Sequence, residues 1–149
     1  LEKSQELNVA VAQILNSEVS PLDTDGIAHY FVDPKNTRYA KVIPHEKWQE
    51  STFHQRLVID VFPKDQSIAV SYFCKENDVS FRITHCKIDA VLVYEDKEED
   101  EPEYEIIFET PDLGGNSVMV ELQPSLNAAV GIFYNKDVFP ELITKKWPI

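Results

Sequence analysis

From Gln55 to Leu122 the chain is written in short apolar segments separated by turn residues, and this pattern restricts the fold more than any other feature. Arg56-Leu57-Val58-Ile59-Asp60-Val61-Phe62 is rich in β-branched and aromatic side chains, which fit a pleated, half-buried surface. Pro63 to Gln66 reads as a turn, Ser67 to Cys74 as the partner strand, and Lys75 to Asp78 as the next turn. Val79, Phe81 and Ile83 then alternate with Ser80, Arg82 and Thr84, so this strand has one wet face. After it the apolar phase slips, and Ile88, Ala90, Leu92 and Tyr94 fall on even positions. A one-residue slip turns side chains to the other face of a sheet. A bulge or a strand end is therefore predicted between Thr84 and Ile88. Tyr104 to Glu109 and Val118 to Leu122 read as two further strands, joined by the glycine-containing turn Pro111 to Ser117.

Two helical stripes flank this block. Leu7, Val11, Ile14 and Leu15, with Ala10 beside them, recur at helical spacing. They predict a helix over Ser4–Glu18, with Ser4 as N-cap and Pro21 as its stop or just beyond its end. Leu126, Ala129, Val130 and Phe133 form a second stripe behind Ser125, another good N-cap. Between the first helix and the strand block, Gly26 to Val32 reads as a strand. Arg38 to Ile43 reads as a further strand. Pro44 opens a short helix to Glu50 that carries His45 and Trp48. Phe139-Pro140 opens one more turn.

The 149 residues suit a single domain, since a domain takes roughly 100–200 residues. The expected fold class is α+β: one antiparallel meander sheet of about five or six strands, covered on one face by the N- and C-terminal helices. Leu57, Ile59, Val61, Ile68, Val70, Tyr72, Phe81, Ile83, Ile106 and Phe108 should be buried. So should Leu7, Val11, Ile14, Val130 and Phe133.

One turn in this pattern is unusual. Glu95-Asp96-Lys97-Glu98-Glu99-Asp100-Glu101-Pro102-Glu103-Tyr104-Glu105 holds eight carboxylates and one lysine, so seven of the chain's twelve net negative charges sit in eleven residues. Like charges at this density repel each other, and Pro102 lacks a backbone donor, so the centre of the run should be a solvated loop. Its spacing does not match a calcium-binding EF-hand loop, which needs a turn glycine among spaced oxygens. The residues expected to meet a partner are Glu95, Asp96, Glu98, Glu99, Asp100, Glu101 and Glu103.

Other chemistry is sparse. His29, His45, His54 and His85 have no helical i, i+4 relation, and no HExxH is present. His85 and Cys86 are neighbours, but adjacent strand residues point to opposite faces, which suits a bulge better than a metal or nucleophile pair. Cys74 and Cys86 belong to no CxxC pair; two reduced thiols in the sheet is the expected state, with a disulfide between neighbouring strands as the alternative. Leu113-Gly114-Gly115-Asn116 is a turn with no Lys-Ser/Thr behind it, and Ser117 and Ser125 lack a GxSxG context. With four glycines in all, the chain lacks a phosphate-cradling design. No cofactor, metal site or catalytic residue is expected.

A net charge of −12 and three scattered arginines disfavour nucleic acid. No run of 18 apolar residues or signal peptide is visible, so a cytoplasmic protein without a membrane segment is expected. The function expected is that of an acidic protein-binding module, such as an inhibitor or immunity-type protein for a basic partner. The alternative is a small-ligand-binding protein or enzyme whose pocket lies between sheet and helices, supported by sixteen aromatic residues.

Overall fold

The computed structural model of this protein describes residues 3–32, 55–75, 78–97, 100, 102–132 and 140–148. The expected strand Arg38–Ile43, the short helix at Pro44–Glu50, and Phe133 and Phe139 lie outside them.

The first element is α1, Lys3–Ile14. Leu7, Val11 and Leu15 on its inner side are at most 1% exposed, and each such burial is worth about 1.5–3 kcal/mol. The helix ends earlier than Glu18. Ser17 N donates to Ala12 O and Asn16 N to Gln13 O, with Asn16 at φ 52°. This is a Schellman cap closed by a left-handed asparagine, which satisfies the last carbonyls. Pro21 follows the end and does not cause it.

Nine strands follow among the described residues: β1 Ala28–Val32, β2 Gln55–Phe62, β3 Ser67–Cys74, β4 Val79–Lys87, β5 Ala90–Asp96, β6 Glu103–Glu109, β7 Ser117–Gln123, β8 Asn127–Gly131 and β9 Ile143–Trp147. They form two antiparallel sheets. The first runs β1-β2-β3-β4 and the second β8-β7-β6-β5-β9. The expectation of one sheet with five or six strands is thus corrected to two sheets, although the strands from Gln55 to Leu122 stand where the alternation put them.

The chain changes sheet where the apolar phase slips. Val70 faces Ile83 and Ile68 faces Cys86, so Thr84 and His85 oppose Ala69 alone. This is a bulge, and His85 carries its strain at φ 57°. Three residues on, Ile88 N donates to Gln66 O in the β2–β3 turn and Asp89 N to Glu109 O in the second sheet. The bulge lets both Ile83 and Cys86 point inward, and the crossing then delivers Ile88, Val91 and Val93 to the same core.

The second covering helix is not formed. Residues 127–131 are β8, paired with β7 from Glu121↔Asn127 to Ser117↔Gly131. Leu126 and Ala128 are buried, Val130 packs on the core, and Asn127, Ala129 and Gly131 alternate outward. A stretch this short fits both periods, and the unpaired edge of β7 decides for the strand. Beyond it, β9 pairs with β5 and buries Trp147 in the core.

Both sheets and the helix share one core. Tyr30, Ile59, Val70 and Leu57 of the first sheet meet Val93, Ile106, Phe108 and Val120 of the second within it. Phe81, Ile83 and Val130 are only partly buried against it, and the other described residues of the expected core are buried. Two tyrosines fasten α1. Tyr30 Oη donates to Asn8 Oδ1 at 2.6 Å, and Tyr104 Oη donates to the carbonyl of Ile14 at 3.1 Å. One bond ties the helix to each sheet. Each sheet therefore has one face on the core and one outer face.

Candidate functional site

The acidic run is the hairpin between β5 and β6. Asp96 faces Glu103, Glu95 faces Tyr104 and Tyr94 faces Glu105, which leaves 97–102 as the connecting loop. Of the expected partner-binding residues, Asp100 is exposed, and Glu98, Glu99 and Glu101 lie outside the described residues. Glu95 is turned to the core side of the sheet, nearly buried at its rim, and is bonded to Lys97 at 3.0 Å. It offers little to a partner. Asp96 and Glu103 lie on the outer face.

That outer face carries more acid than the loop alone predicts. Register places Glu105 between Tyr94 on β5 and Glu121 on β7, with Glu103 two residues along the same strand. Like charges directly opposite in a ladder repel. Glu105 is half-buried, and desolvation, followed by the charges of Glu103 and Glu121, pushes its pKa up to about 7. Glu121 accepts a bond from Ser125 Oγ at 2.9 Å. Alongside runs a buried apolar row, Leu92, Ile107 and Met119, each at most 6% exposed and on the side away from the core. Glu105 was visible in the sequence as the last acid of the run. Glu121 was not, because only the β6–β7 register brings it there.

A second charged group lies on the outer face of the first sheet. His29 Nδ1 is 2.6 Å from Asp60 Oδ1, and Nε2 is 2.7 Å from Asp23 Oδ2. Burial lowers the imidazole pKa, but hydrogen bonds and charge from Asp23 and Asp60 outweigh it, and the net shift is upward. Asp23 also accepts from the amides of Asp25 and Ile27, and its pKa is lowered, chiefly by the His29 bond. With a carboxylate on each ring nitrogen, the charged form of His29 is favoured and the side chain acts as a clamp. It pins the α1–β1 connection to β2.

The remaining expected chemistry resolves structurally. His85 stacks on Phe62 with ring centroids 4.3 Å apart and bonds Asp65 at 2.9 Å. Cys74 and Cys86 form no disulfide and are buried at opposite ends of the β3–β4 ladder. Gly114 caps a 3-10 turn over Pro111–Leu113, whose first amides are satisfied by Thr110 Oγ1 bonding Asp112 N. Among the described residues, no three His, Cys, Asp or Glu side chains converge as a metal site. No described helix is long and apolar enough to cross a membrane.

No protein-family model, curated protein or solved structure matches this chain.

Proposed function

We propose that the protein is a binding module that docks a basic protein through the acidic hairpin and the outer face of the second sheet. The observation that carries this reading is the register that sets Glu105 opposite Glu121 and two residues from Glu103 on a half-buried ladder, where desolvation first and these charges second raise its pKa to about 7. The fold holds these carboxylates together at a cost in stability. Lysine or arginine side chains from a partner would remove that cost, and the gain would appear as binding energy. Asp96 and Asp100 would extend the same surface to the loop tip, where a concentrated negative field speeds encounter with a positive one. An inhibitor or immunity-type role fits such a surface, as does any role that needs fast recognition of a basic protein.

The test replaces Glu98, Glu99, Asp100 and Glu101 by serine and, separately, Glu105 and Glu121 by glutamine. Partners are first captured from the native cells at low and high salt. Binding kinetics are then measured on the purified partner. The loop variant is expected to associate more slowly and with a weaker salt dependence, and the sheet variant to dissociate faster. If neither rate changes, the acidic surface serves solubility alone and the reading is lost.

A further inference from the structure

The outer face of the first sheet has the opposite character. Arg56 on β2 faces Phe73 on β3, and Ser71 on β3 faces Arg82 on β4. Two of the chain's three arginines therefore bracket Phe73 and Ser71 on one face. Across three strands spaced about 4.8 Å apart, they stand on a diagonal roughly two strand spacings wide. Arg56, Val58, Ser71, Tyr72 and Phe73 line an open groove of about 350 Å³ there. The guanidinium carbon of Arg56 lies 5.8 Å from the Phe73 ring centre, a cation–π arrangement that holds the charge at the groove wall.

The charge balance of this face makes the groove informative. The protein has 26 acidic residues against 14 lysines and arginines, so a surface arginine should easily find a carboxylate. Neither Arg56 nor Arg82 has one among the described residues. Asp60, two residues along the ladder from the Val58–Ser71–Arg82 row, is engaged by His29. Both arginines are exposed, and Val58 and Phe73 between them are only partly covered. The groove thus offers the Arg56 fork and an apolar floor, with Arg82 beside it across from Ser71, and neither fork has a carboxylate among the described residues.

We propose that this groove, together with Arg82 beside it on the same face, binds an extended acidic peptide segment of a partner protein, with carboxylates on Arg56 and Arg82 and an apolar side chain on Phe73 and Val58. An extended chain turns every second side chain to the same face, so a segment with acids flanking an apolar residue matches the groove's order. Arginine forks bind carboxylates with two parallel bonds, and such charge-assisted bonds are the strong ones. The chain's overall negative field opposes such a ligand at long range. Affinity therefore rests on the two local contacts, which act within about 8 Å at physiological salt. This site is separate from the acidic hairpin and lies on the other sheet.

The test probes the full chain with an array of ten-residue peptides carrying glutamate, an apolar residue and glutamate at every second position with serine between them, and a matched array with glutamine for glutamate. Wild type should be retained by glutamate peptides and not by their glutamine counterparts. R56Q and R82Q should each weaken binding about tenfold, through loss of one charge-assisted contact. Because both side chains are exposed, thermal unfolding should be unchanged, and it is measured alongside. The quadruple serine variant of the hairpin loop should bind the peptides as wild type does. Equal retention on both arrays, no retention of glutamate peptides, or unaltered binding by R56Q and R82Q overturns the proposal. Displacement by phenylacetate at the peptide's own dissociation constant would also overturn it, in favour of a small carboxylate.

Discussion

Glu105 shows how one residue sets a pH response. Its pKa is raised from 4.5 to about 7, by desolvation first and by Glu103 and Glu121 second. The folded state then binds more protons than the unfolded state between these values, so stability falls as pH rises from about 4.5 through 7. The full shift overstates the cost, because the side chain is half-exposed and solvent screens it; about 1–2 kcal/mol remains above pH 7. Glu105→Gln should gain that amount at pH 8 and almost nothing at pH 4.5, measured by urea unfolding at both. An equal gain at both would show that repulsion is not the cause. His29 also favours the acid side. Its raised pKa gives stability that is complete below about 6.5 and is lost as pH rises through the folded value. Wild type should therefore exceed His29→Gln most at pH 6, with the difference closing in alkali, as thermal unfolding across pH would record. Neither response could be read from neighbours in the chain. Asp60 is 31 residues from His29, and Glu121 meets Glu105 only through strand register.

At the scale of the element, α1 is held by side chains as much as by its stripe. Tyr30 Oη bonds Asn8 and also receives the amide of Ser20 at 3.1 Å, and Tyr104 Oη bonds the Ile14 carbonyl. Removing the Tyr30 hydroxyl strands Asn8 Oδ1 and the Ser20 amide, whereas removing that of Tyr104 strands the Ile14 carbonyl. Tyr30→Phe should cost about 2–3 kcal/mol and Tyr104→Phe about 1 kcal/mol, since a buried polar group left unpaired costs roughly 1–3 kcal/mol. Denaturant unfolding of the two variants checks the order; a larger loss for Tyr104→Phe would place the stronger tether on the second sheet. The stripe itself was legible, because Leu7, Val11, Ile14 and Leu15 fit no strand period. Leu126, Ala129 and Val130 were misread, because five residues cannot separate a period of 3.6 from one of 2. What decided them was β7, an element whose open edge is invisible to local pattern. The slip at His85 was legible as a bulge, but not as the place where the chain leaves one sheet for another. Alternation tells which face a residue takes, not which strand lies beside it.

At the scale of the molecule, the two outer faces divide the charge. Exposed arginines that meet no carboxylate among the described residues mark the first sheet, and carboxylates in ladder contact mark the second. The concentration of acid in the β5–β6 hairpin was plain in the sequence, while the grouping of Arg56 with Arg82 needed the β2–β3–β4 register. This division makes the cost of the acidic end measurable without any partner. Replacing Glu98, Glu99, Asp100 and Glu101 by serine removes four charges and takes the net charge from −12 to −8. Asp100 is exposed, and carboxylates at this density repel one another, so the change expected is in repulsion. At low salt the Debye length is about 30 Å at 0.01 M, and the loop's charges reach Glu103, Glu105 and Glu121; at 1 M it is about 3 Å, and they do not. The variant should therefore melt a few degrees higher than wild type at 0.01 M salt, about 1 kcal/mol being worth roughly 2–4 °C in a chain of this size. The two proteins should melt together at 1 M. A difference that survived high salt would mean that the serines act on the loop's own conformation, and the charge of the hairpin would then be no strain for a partner to relieve.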